Sequence, residues 1–189
     1  MRGIRQKIVD IVKRYRYRDI LDICCGTGEQ LKMLKEHGFY GQGIDLSEAM
    51  LSVARDGKSS ADCTLQDATE VEYGDQTFDL VTTTFALHEK RDDISRKIIK
   101  EMLRLTAEGG DILIVDYELS KRSSKLSKAL IYMIEWIAGG EHYENFKAYI
   151  ENGGLPSLLL GTPLIEVERH YFSKHSIVLL LLRKEREAK

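Results

Sequence analysis

The sequence lacks any apolar run long enough to cross a membrane. Its longest unbroken apolar stretch, 177–182, covers six residues, whereas a membrane-spanning helix needs about 20. The amino terminus also lacks the apolar segment of a secretory signal peptide. We therefore expect a protein that is neither inserted nor exported and that works in the cytoplasm.

Net charge is nearly absent as well, since 28 basic residues face 30 acidic ones. This balance gives no overall field that would draw the chain to nucleic acid, so no nucleic-acid partner is expected. One local excess lies within residues 2–18, where Asp10 alone opposes seven cations: Arg2, Arg5, Lys7, Lys13, Arg14, Arg16 and Arg18. A solvated helix face explains this stretch best, and contact with phosphate or RNA stays open as the alternative.

Cysteine is scarce, with three residues. Cys24 and Cys25 would point to opposite faces of a strand, so no disulfide is expected between them. Reduced thiols agree with a cytoplasmic protein. A nucleophilic role for Cys25 is not favoured, because a backbone role in its loop suffices. No metal site is expected.

Length and composition predict one domain, because 189 residues with 43% apolar and 31% charged side chains match ordinary globular usage. Short apolar runs alternate with helical patterns, which indicates an α/β fold with a mostly parallel sheet. The predicted strands are Ile20–Cys24, Tyr40–Ile44, Asp62–Leu65, Phe78–Thr84, Asp111–Tyr117, Leu164–Phe172 and Ser176–Arg183. The predicted helices are one around Ile4–Val12, then Gln30–Glu36, Ser47–Arg55, Asp92–Leu105, Ser123–Ala138 and Tyr143–Glu151. We expect Ser47 to cap its helix and Gly109-Gly110 to end the helix 92–105.

A glycine loop, Cys25 to Gly28, follows the first predicted strand. In open α/β sheets, ligands bind at such a turn beyond the carboxyl ends of the strands. Gly26 and Gly28 lack a Cβ, so the backbone can adopt positive φ and approach a ligand closely. The next helix offers free N–H groups to an anion. A nicotinamide dinucleotide fits less well, because its fingerprint needs a small residue where this chain has Leu31.

Two carboxylates follow the next strands. Asp45 ends the second strand, where it can accept hydrogen bonds from both hydroxyls of a ribose, although a turn residue or helix cap is the alternative. Asp67 follows the third strand and can accept from the amino group of adenine. Together they indicate a cofactor that contains adenosine, without choosing which one.

Five segments in this order resemble the motifs of class I S-adenosylmethionine-dependent methyltransferases of the small-molecule type, in methyltransferase groups 11 and 25. They are LDICCGTG at 21–28, GIDLS at 43–47, QDA at 66–68, FDLV at 78–81 and EGGDIL at 108–113. Each motif is weak alone, but the ordered set is specific and covers about residues 17–117. Cys24 departs from the glycine of many members, and this variant also resembles some quinone C-methyltransferases.

The resemblance implies a Rossmann-like sheet of seven strands, in the order 3-2-1-4-5-7-6, with the seventh antiparallel and helices on both faces. It implies S-adenosylmethionine as cofactor and S-adenosylhomocysteine as product. We divide the single domain into an amino-terminal helix or flap (1–18), a cofactor-binding core (19–117), a helical lid insertion (118–154) and a carboxyl-terminal strand pair (155–189).

The resemblance also implies a set of cofactor contacts: Asp22, Cys24, Cys25, Gly26, Thr27, Gly28, Asp45, Leu46, Met50, Asp67, Ala68, Thr84 and Phe85. In it, Asp22 and the loop backbone hold the methionine portion, Asp45 holds the ribose, and Asp67 with Ala68 meets the adenine edge. Met50 either packs near the adenine or belongs to the core.

His88 is the candidate general base. It follows the fourth strand in Phe85-Ala86-Leu87-His88-Glu89, close to the glycine loop, and its ordinary pKa suits proton removal near neutrality. Methyl transfer from a sulfonium is an in-line displacement, so alignment and exclusion of water supply most of the catalysis. The alternative is a histidine that only shapes its loop.

The acceptor needs a lid, which either the amino-terminal helix with Tyr15 and Tyr17 or the hairpin around 139–146 can provide. The predicted acceptor contacts are Tyr17, His88, His142 and Tyr143. Tyr132 and Trp136 would suit a flat or hydrophobic acceptor, although their spacing suits helix packing equally well.

The sequence therefore predicts methyl transfer to a small molecule, of aromatic or hydrophobic character, by a monomer or homodimer. A cofactor-binding partner or sensor without activity is the alternative. RNA methylation and nicotinamide-dependent oxidation have less support in the residues.

Overall fold

The computed structural model describes residues 1–57 and 60–185, so the last four residues of the predicted strand pair lie outside it. Its centre is a seven-stranded sheet of order β3-β2-β1-β4-β5-β7-β6. The strands are β1 Ile20–Ile23, β2 Gly41–Asp45, β3 Asp62–Leu65, β4 Phe78–Thr84, β5 Thr106–Tyr117, β6 Leu164–Phe172 and β7 Ile177–Lys184. Strand β7 runs antiparallel to β5 and β6, and the other neighbours are parallel. The predicted α/β fold, with its strand order, is confirmed.

Helices cover both faces of this sheet. They are α1 Arg2–Tyr15, α2 Glu29–Glu36, α3 Glu48–Arg55, α4 Asp92–Leu105, α5 Lys125–Ala138, α6 Gly140–Glu151 and α7 Gly154–Leu159. Strands β1, β4, β5 and β7 are buried along most of their length, as expected for strands covered on both sides. Ser47 caps α3 as predicted, because its hydroxyl accepts from the Met50 N–H at 3.3 Å. Among the described residues, no helix is long and apolar enough to span a membrane.

Helix α1 packs on the core along the apolar stripe that the sequence shows. Ile4, Ile8, Ile11 and Val12 are all buried. The helix is therefore part of the folded body over most of its length, and only its amino-terminal end borders the cavities described below.

The prediction that Gly109-Gly110 ends helix α4 was wrong. The helix ends at Leu105, and both glycines lie inside β5. A Cβ at Gly110 would lie 2.9 Å from the Asp79 carbonyl oxygen. Glycine is therefore needed here because β5 passes close to β4, where the pairing register shifts between Phe78 and Leu80.

Helix α7 was not predicted, since residues 155–189 were assigned to the carboxyl-terminal strand pair. Pro156 is the third residue of α7. In the first turn the N–H groups have no acceptor within the helix, so a proline is tolerated there. The hairpin of α5 and α6 precedes α7 and lies between β5 and β6 in sequence.

Candidate active site

The chain turns from β1 into α2 through left-handed backbone conformations. Cys24, Gly26 and Gly28 have φ values of 58°, 55° and 67°. A Cβ at Gly28 would lie 2.8 Å from the Ala61 Cβ, so packing as well as φ requires glycine there. Cys24 adopts this conformation with a side chain, which costs about 1–2 kcal/mol. The strain agrees with the glycine that many members of the resembling family have at this position.

Asp45, the last residue of β2, ties the glycine loop to the neighbouring strand. Its carboxylate accepts from the N–H of Gly26 and from the N–H of Ser47, each at 2.8 Å. A carboxylate offers about four acceptor positions, so capacity remains for the hydroxyls of a ribose. The turn role and the ligand role are compatible at this residue.

A cavity of about 800 Å³ opens at the carboxyl ends of the central strands. Twelve of the thirteen residues predicted to contact the cofactor line it: Asp22, Cys24, Cys25, Gly26, Thr27, Asp45, Leu46, Met50, Asp67, Ala68, Thr84 and Phe85. The thirteenth, Gly28, lies behind the loop against Ala61. The volume falls in the range of small-molecule sites, about 300–1,000 Å³. We call this space the first cavity.

Leu46 and Met50 form an apolar rim on the first cavity. They are 65% and 48% exposed, so the core alternative for Met50 is excluded. Exposed apolar side chains beside a cavity can cover the flat face of a ring. Asp67 lies nearby on the same lining, and its Oδ1 accepts from the N–H and the hydroxyl of Thr69, each at 2.8 Å. These bonds lower the pKa of Asp67, which stays an acceptor.

Several polar residues of the first cavity were missed in the sequence, among them Gln30 and Arg5. Gln30 on α2 is 4% exposed, and neither its amide nitrogen nor its amide oxygen has a partner among the described residues. A buried amide without a partner costs about 1–3 kcal/mol, which favours a polar ligand at this position. Arg5 on α1 lines the same cavity and offers a cation. Both lie on amphipathic helices, where no local motif marks them.

Asp22 lies in β1 at the base of the first cavity. Burial raises its pKa to about 7, while the Thr82 hydroxyl, which donates at 2.7 Å, lowers it. Asp45 raises the pKa further and Arg5 lowers it. A buried carboxyl in this state gains from a cationic ligand group, because an opposite charge restores its ionised form.

The three cysteines are free thiols. Burial raises the pKa of Cys24 to about 12. The pKa of Cys25 is also raised, because its thiol hydrogen-bonds to Cys63 and is buried. Thiolates are the reactive form, so these shifts speak against a nucleophilic role for either loop cysteine.

A second cavity of about 630 Å³ lies beside the first and shares Met1, Phe85, Glu89 and His142 with it. Most of its wall is apolar. Helix α5 forms one side with Leu126, Leu130, Ile131, Ile134 and Ala138, and the other apolar residues of the wall are Phe85, Tyr117 and Ile177. Its polar lining includes His88, Glu89, Glu135 and His142. The two cavities are therefore neighbours that meet at these four residues, and they differ in the polarity of their walls.

His88 is fixed in the wall of the second cavity by Asp116, near the end of β5. The histidine Nδ1 lies 2.6 Å from the Asp116 Oδ1. The other oxygen of Asp116 accepts from the N–H groups of Leu87 and His88, at 3.0 and 3.3 Å. These bonds orient the ring so that its Nε2 lies 3.7 Å from Glu135 Oε1. The sequence pointed to His88, but not to Asp116 or Glu135.

The carboxylates around His88 favour its protonated form. Burial is the largest single influence and lowers the pKa of His88, but the charge and hydrogen bond of Asp116 together with the charges of Glu135 and Glu89 raise the pKa above its ordinary value. The Tyr117 hydroxyl donates to Glu135 at 3.1 Å, and burial raises the pKa of this tyrosine. The cluster can thus hold a protonated His88, with Asp116 at its Nδ1 and Glu135 near its Nε2.

The other acceptor candidates are dispersed. His142 lines both cavities, with its Nε2 3.0 Å from Glu89 Oε2. Tyr143 lies outside both linings, under the Lys147 ammonium at 5.7 Å. Tyr17 donates to Asp111, which pairs with the start of β4. It is therefore at the amino edge of the sheet, opposite the cavities, because α1 carries it there.

The upstream aromatics also lie outside the second cavity. Tyr132 packs edge-on against Phe146, with ring centroids 5.1 Å apart, and Trp136 is exposed. Helix packing therefore accounts for Tyr132, whereas Trp136 points into solvent.

The strand order and the glycine loop, with Asp45 and Asp67 at the ends of β2 and β3, resemble those of class I S-adenosylmethionine-dependent methyltransferases. Residues 20–110 match the family model described as a methyltransferase domain. Over these 91 of its 189 residues the chain is similar to methyltransferases, and the class that it resembles uses S-adenosylmethionine as cofactor.

Several known proteins are similar to the chain. A demethylmenaquinone methyltransferase of Renibacterium salmoninarum is 26% identical over 171 residues, which cover 79% of this chain and 71% of that protein. The demethylmenaquinone methyltransferase of Bacillus subtilis is 32% identical over 120 residues, which cover 59% of this chain and 51% of that protein, so the chain spans about half its length. A solved S-adenosylmethionine-dependent methyltransferase of Methanosarcina mazei is 18% identical to this chain. The two structures superpose with a TM-score of 0.65 over 89% of this chain and 93% of that protein.

Proposed function

We propose that this protein transfers a methyl group from S-adenosylmethionine to a small, largely apolar acceptor held in the second cavity. The observation that carries the proposal is the junction of the two cavities at Phe85, Glu89 and His142, with His88 in the wall of the second. A methyl group held at this junction would face an acceptor in the second cavity, and the transfer would need little beyond alignment and exclusion of water.

The amino-acid end of S-adenosylmethionine fits the polar groups of the first cavity. Its carboxylate would meet the Arg5 guanidinium and the Gln30 amide nitrogen, which otherwise has no partner among the described residues. Its ammonium would meet Asp22, whose raised pKa reflects a carboxyl in need of a cation. The backbone of 24–27 would enclose this end of the cofactor, while Gly28 shapes the loop.

The nucleoside end fits the outer part of the first cavity. The ribose hydroxyls would use the remaining acceptor positions of Asp45. The adenine edge would meet Asp67 and Ala68, and its face would lie against Leu46 and Met50. When bound, the cofactor would supply an electrophilic methyl group on a sulfonium, and Thr84 and Phe85 would line the cavity near it.

His88 is the residue we assign as general base. Asp116 accepts from Nδ1–H and so leaves the lone pair on Nε2, which borders the second cavity. The proton taken from the acceptor then resides on Nε2, and the resulting imidazolium is stabilised by Asp116 and Glu135. His142 would contact the acceptor where the cavities join, whereas Tyr143 and Tyr17 have no place in this assignment.

The walls of the second cavity favour an apolar acceptor with one ionisable group. Leu126, Leu130 and Ile134 line one side, and the histidine cluster offers a single basic nitrogen. The demethylmenaquinone methyltransferases named above support a quinol-like ring as the acceptor. We therefore propose a hydroxylated aromatic ring that carries an apolar substituent.

The test uses S-adenosylmethionine labelled in its methyl group and a panel of quinols, phenols and amines, including a demethylated naphthoquinol with a short prenyl chain. We expect label in an extractable product only when protein, cofactor and a quinol-like acceptor are all present. If calorimetry shows S-adenosylhomocysteine binding but no compound of the panel receives label, the protein is a cofactor-binding partner and the proposal fails.

A further inference from the structure

The outer side of helix α5 is apolar, where a surface helix is ordinarily polar. Six large apolar side chains of α5 are 48–76% exposed, and we call them the outer face of α5: Leu126, Leu130, Met133, Ile134, Trp136 and Ile137. At 3.6 residues per turn they occupy an arc of about 160°, and no charged residue of α5 falls within it. The single acid of the helix, Glu135, points inward and is buried. The polarity of this helix is thus inverted.

Exposed apolar surface of this extent marks a contact site. Five exposed cations lie near the amino-terminal end of the outer face: Arg2, Lys121, Arg122, Lys125 and Lys174. The Lys174 carbonyl accepts from the Ser124 N–H at 3.3 Å, which fixes that turn beside α5. Met1 lines the second cavity together with Leu126, which places the start of α1 there as well. Two exposed acids, Glu141 and Glu144, follow the other end of the helix.

We infer that the outer face of α5 docks on the surface of an anionic lipid bilayer. Leucine, isoleucine and tryptophan side chains on one helix face enter the boundary between headgroups and acyl chains. The five cations against two acids meet the negative headgroups, at about 1 kcal/mol for each cation near the surface. The combination selects an anionic surface over a neutral one.

A second copy of this chain is the competing occupant of the same face. Leu126, Leu130 and Ile134 belong both to the outer face of α5 and to the wall of the second cavity. A protein partner on this face would therefore close the mouth of the cavity, whereas a bilayer gives an apolar acceptor a path into it. This choice rests on the proposed function, but vesicle binding itself requires neither cofactor nor acceptor.

The experiment uses the fluorescence of Trp136, which is the only tryptophan of the chain. The full chain is titrated with vesicles of phosphatidylcholine alone or mixed with phosphatidylglycerol, and its cosedimentation is measured. We expect a blue shift of the emission with the mixed vesicles, at a half-maximal lipid concentration about tenfold or more below that for the neutral ones. Loss of enzymatic activity would leave this readout intact, so the two proposals fail separately.

The decisive variant is Met133→Glu with Ile137→Glu, because both residues are exposed and neither lines the second cavity. It should weaken vesicle binding about tenfold or more. Leu160→Glu, at a position 81% exposed beyond α7, is the matched control and should bind as the parent does. The inference is overturned by an unshifted emission with both vesicles, by equal affinity for both, or by a dimer in sedimentation velocity that the double variant dissociates.

Discussion

The two cavities of this protein are built in different ways. The first gathers residues in or just beyond the carboxyl-terminal parts of neighbouring strands, so Asp22, Asp45 and Asp67 meet because parallel strands end at one edge of the sheet. The second gathers His88, Asp116 and Glu135 from a loop, a strand and an added helix. The proposed donor site thus depends on the sheet, whereas the proposed acceptor site depends on how α5 packs against the rest of the fold.

This difference separates two kinds of specificity. Changes in the strand-end residues should alter the affinity for the cofactor, and changes around α5 should alter the transfer and the affinity for the acceptor. A strand-end variant that changes only the transfer, or a variant around α5 that changes the affinity for the cofactor, would contradict this division. The four predictions below run from the largest expected effect to the smallest.

Replacement of the proposed base should have the largest effect. His88→Gln is expected to slow methyl transfer by about 10²–10⁴-fold, the usual contribution of general acid–base catalysis. Calorimetry should show S-adenosylhomocysteine affinity close to the parent value, because His88 lines only the second cavity. His37→Gln, at the exposed end of α2, is the control and should keep full activity. If His88→Gln keeps the parent rate, His88 is not the general base.

Asp45→Ala should weaken S-adenosylhomocysteine binding about 100-fold, or roughly 3 kcal/mol, because a charged acceptor for two hydroxyls is lost. The Gly26 N–H that Asp45 binds also loses its partner. Asp62→Ala, in the exposed part of β3, controls for charge and should bind the cofactor normally. A loss of less than about threefold for Asp45→Ala would contradict the ribose assignment.

Gln30→Leu separates affinity from stability, because the two should move in opposite directions. Without cofactor, removal of a buried amide that has no partner among the described residues should raise the free energy of unfolding by about 1 kcal/mol. With cofactor, the lost amide contact should weaken S-adenosylhomocysteine binding about tenfold. Denaturant titration and calorimetry measure the two effects. A variant that is less stable and binds as tightly as the parent would show that Gln30 serves packing alone.

The pH dependence of the transfer should follow His88. Because its folded-state pKa is raised by Asp116, kcat/KM for the acceptor should rise with pH to a midpoint above about 6.5, the ordinary histidine pKa. Asp116→Asn should move this midpoint to lower pH. The same shift gives stability that is fully present below the unfolded-state pKa and is lost as pH rises through the folded-state pKa. If Asp116→Asn does not change the pH midpoint of kcat/KM, a group other than His88 is responsible for the titration.

Much of the donor half could be predicted from the sequence, because its signals are local. Glycines at 26 and 28 mark positive φ, Asp45 is the last residue of β2, and Asp67 comes two residues after β3. Twelve residues predicted from these patterns and from the family resemblance line one cavity. Gln30 was not predicted, because nothing in the local sequence of an amphipathic helix indicates that packing will bury this amide.

The acceptor half was less predictable, because packing between distant segments creates it. Asp116 ends the apolar run 112–115, and Glu135 interrupts an apolar helix. A lone carboxylate in an apolar segment is the signal that could have marked both. Tyr17 was predicted to contact the acceptor but lies at the opposite edge of the sheet. The direction of α1 is set by the packing of Ile4, Ile8 and Val12 on the core, which no local pattern reveals. Helix α7 was missed because its residues were assigned to the strand pair.

The most direct test of the two-cavity account is a crystal structure of the protein with S-adenosylhomocysteine and a quinol analogue. The account predicts ribose hydroxyls on Asp45 and a ring beneath α5, with the analogue's hydroxyl hydrogen-bonded to His88 Nε2. An analogue bound outside the second cavity, or a cofactor whose sulfur does not face the junction at Phe85 and His142, would contradict it.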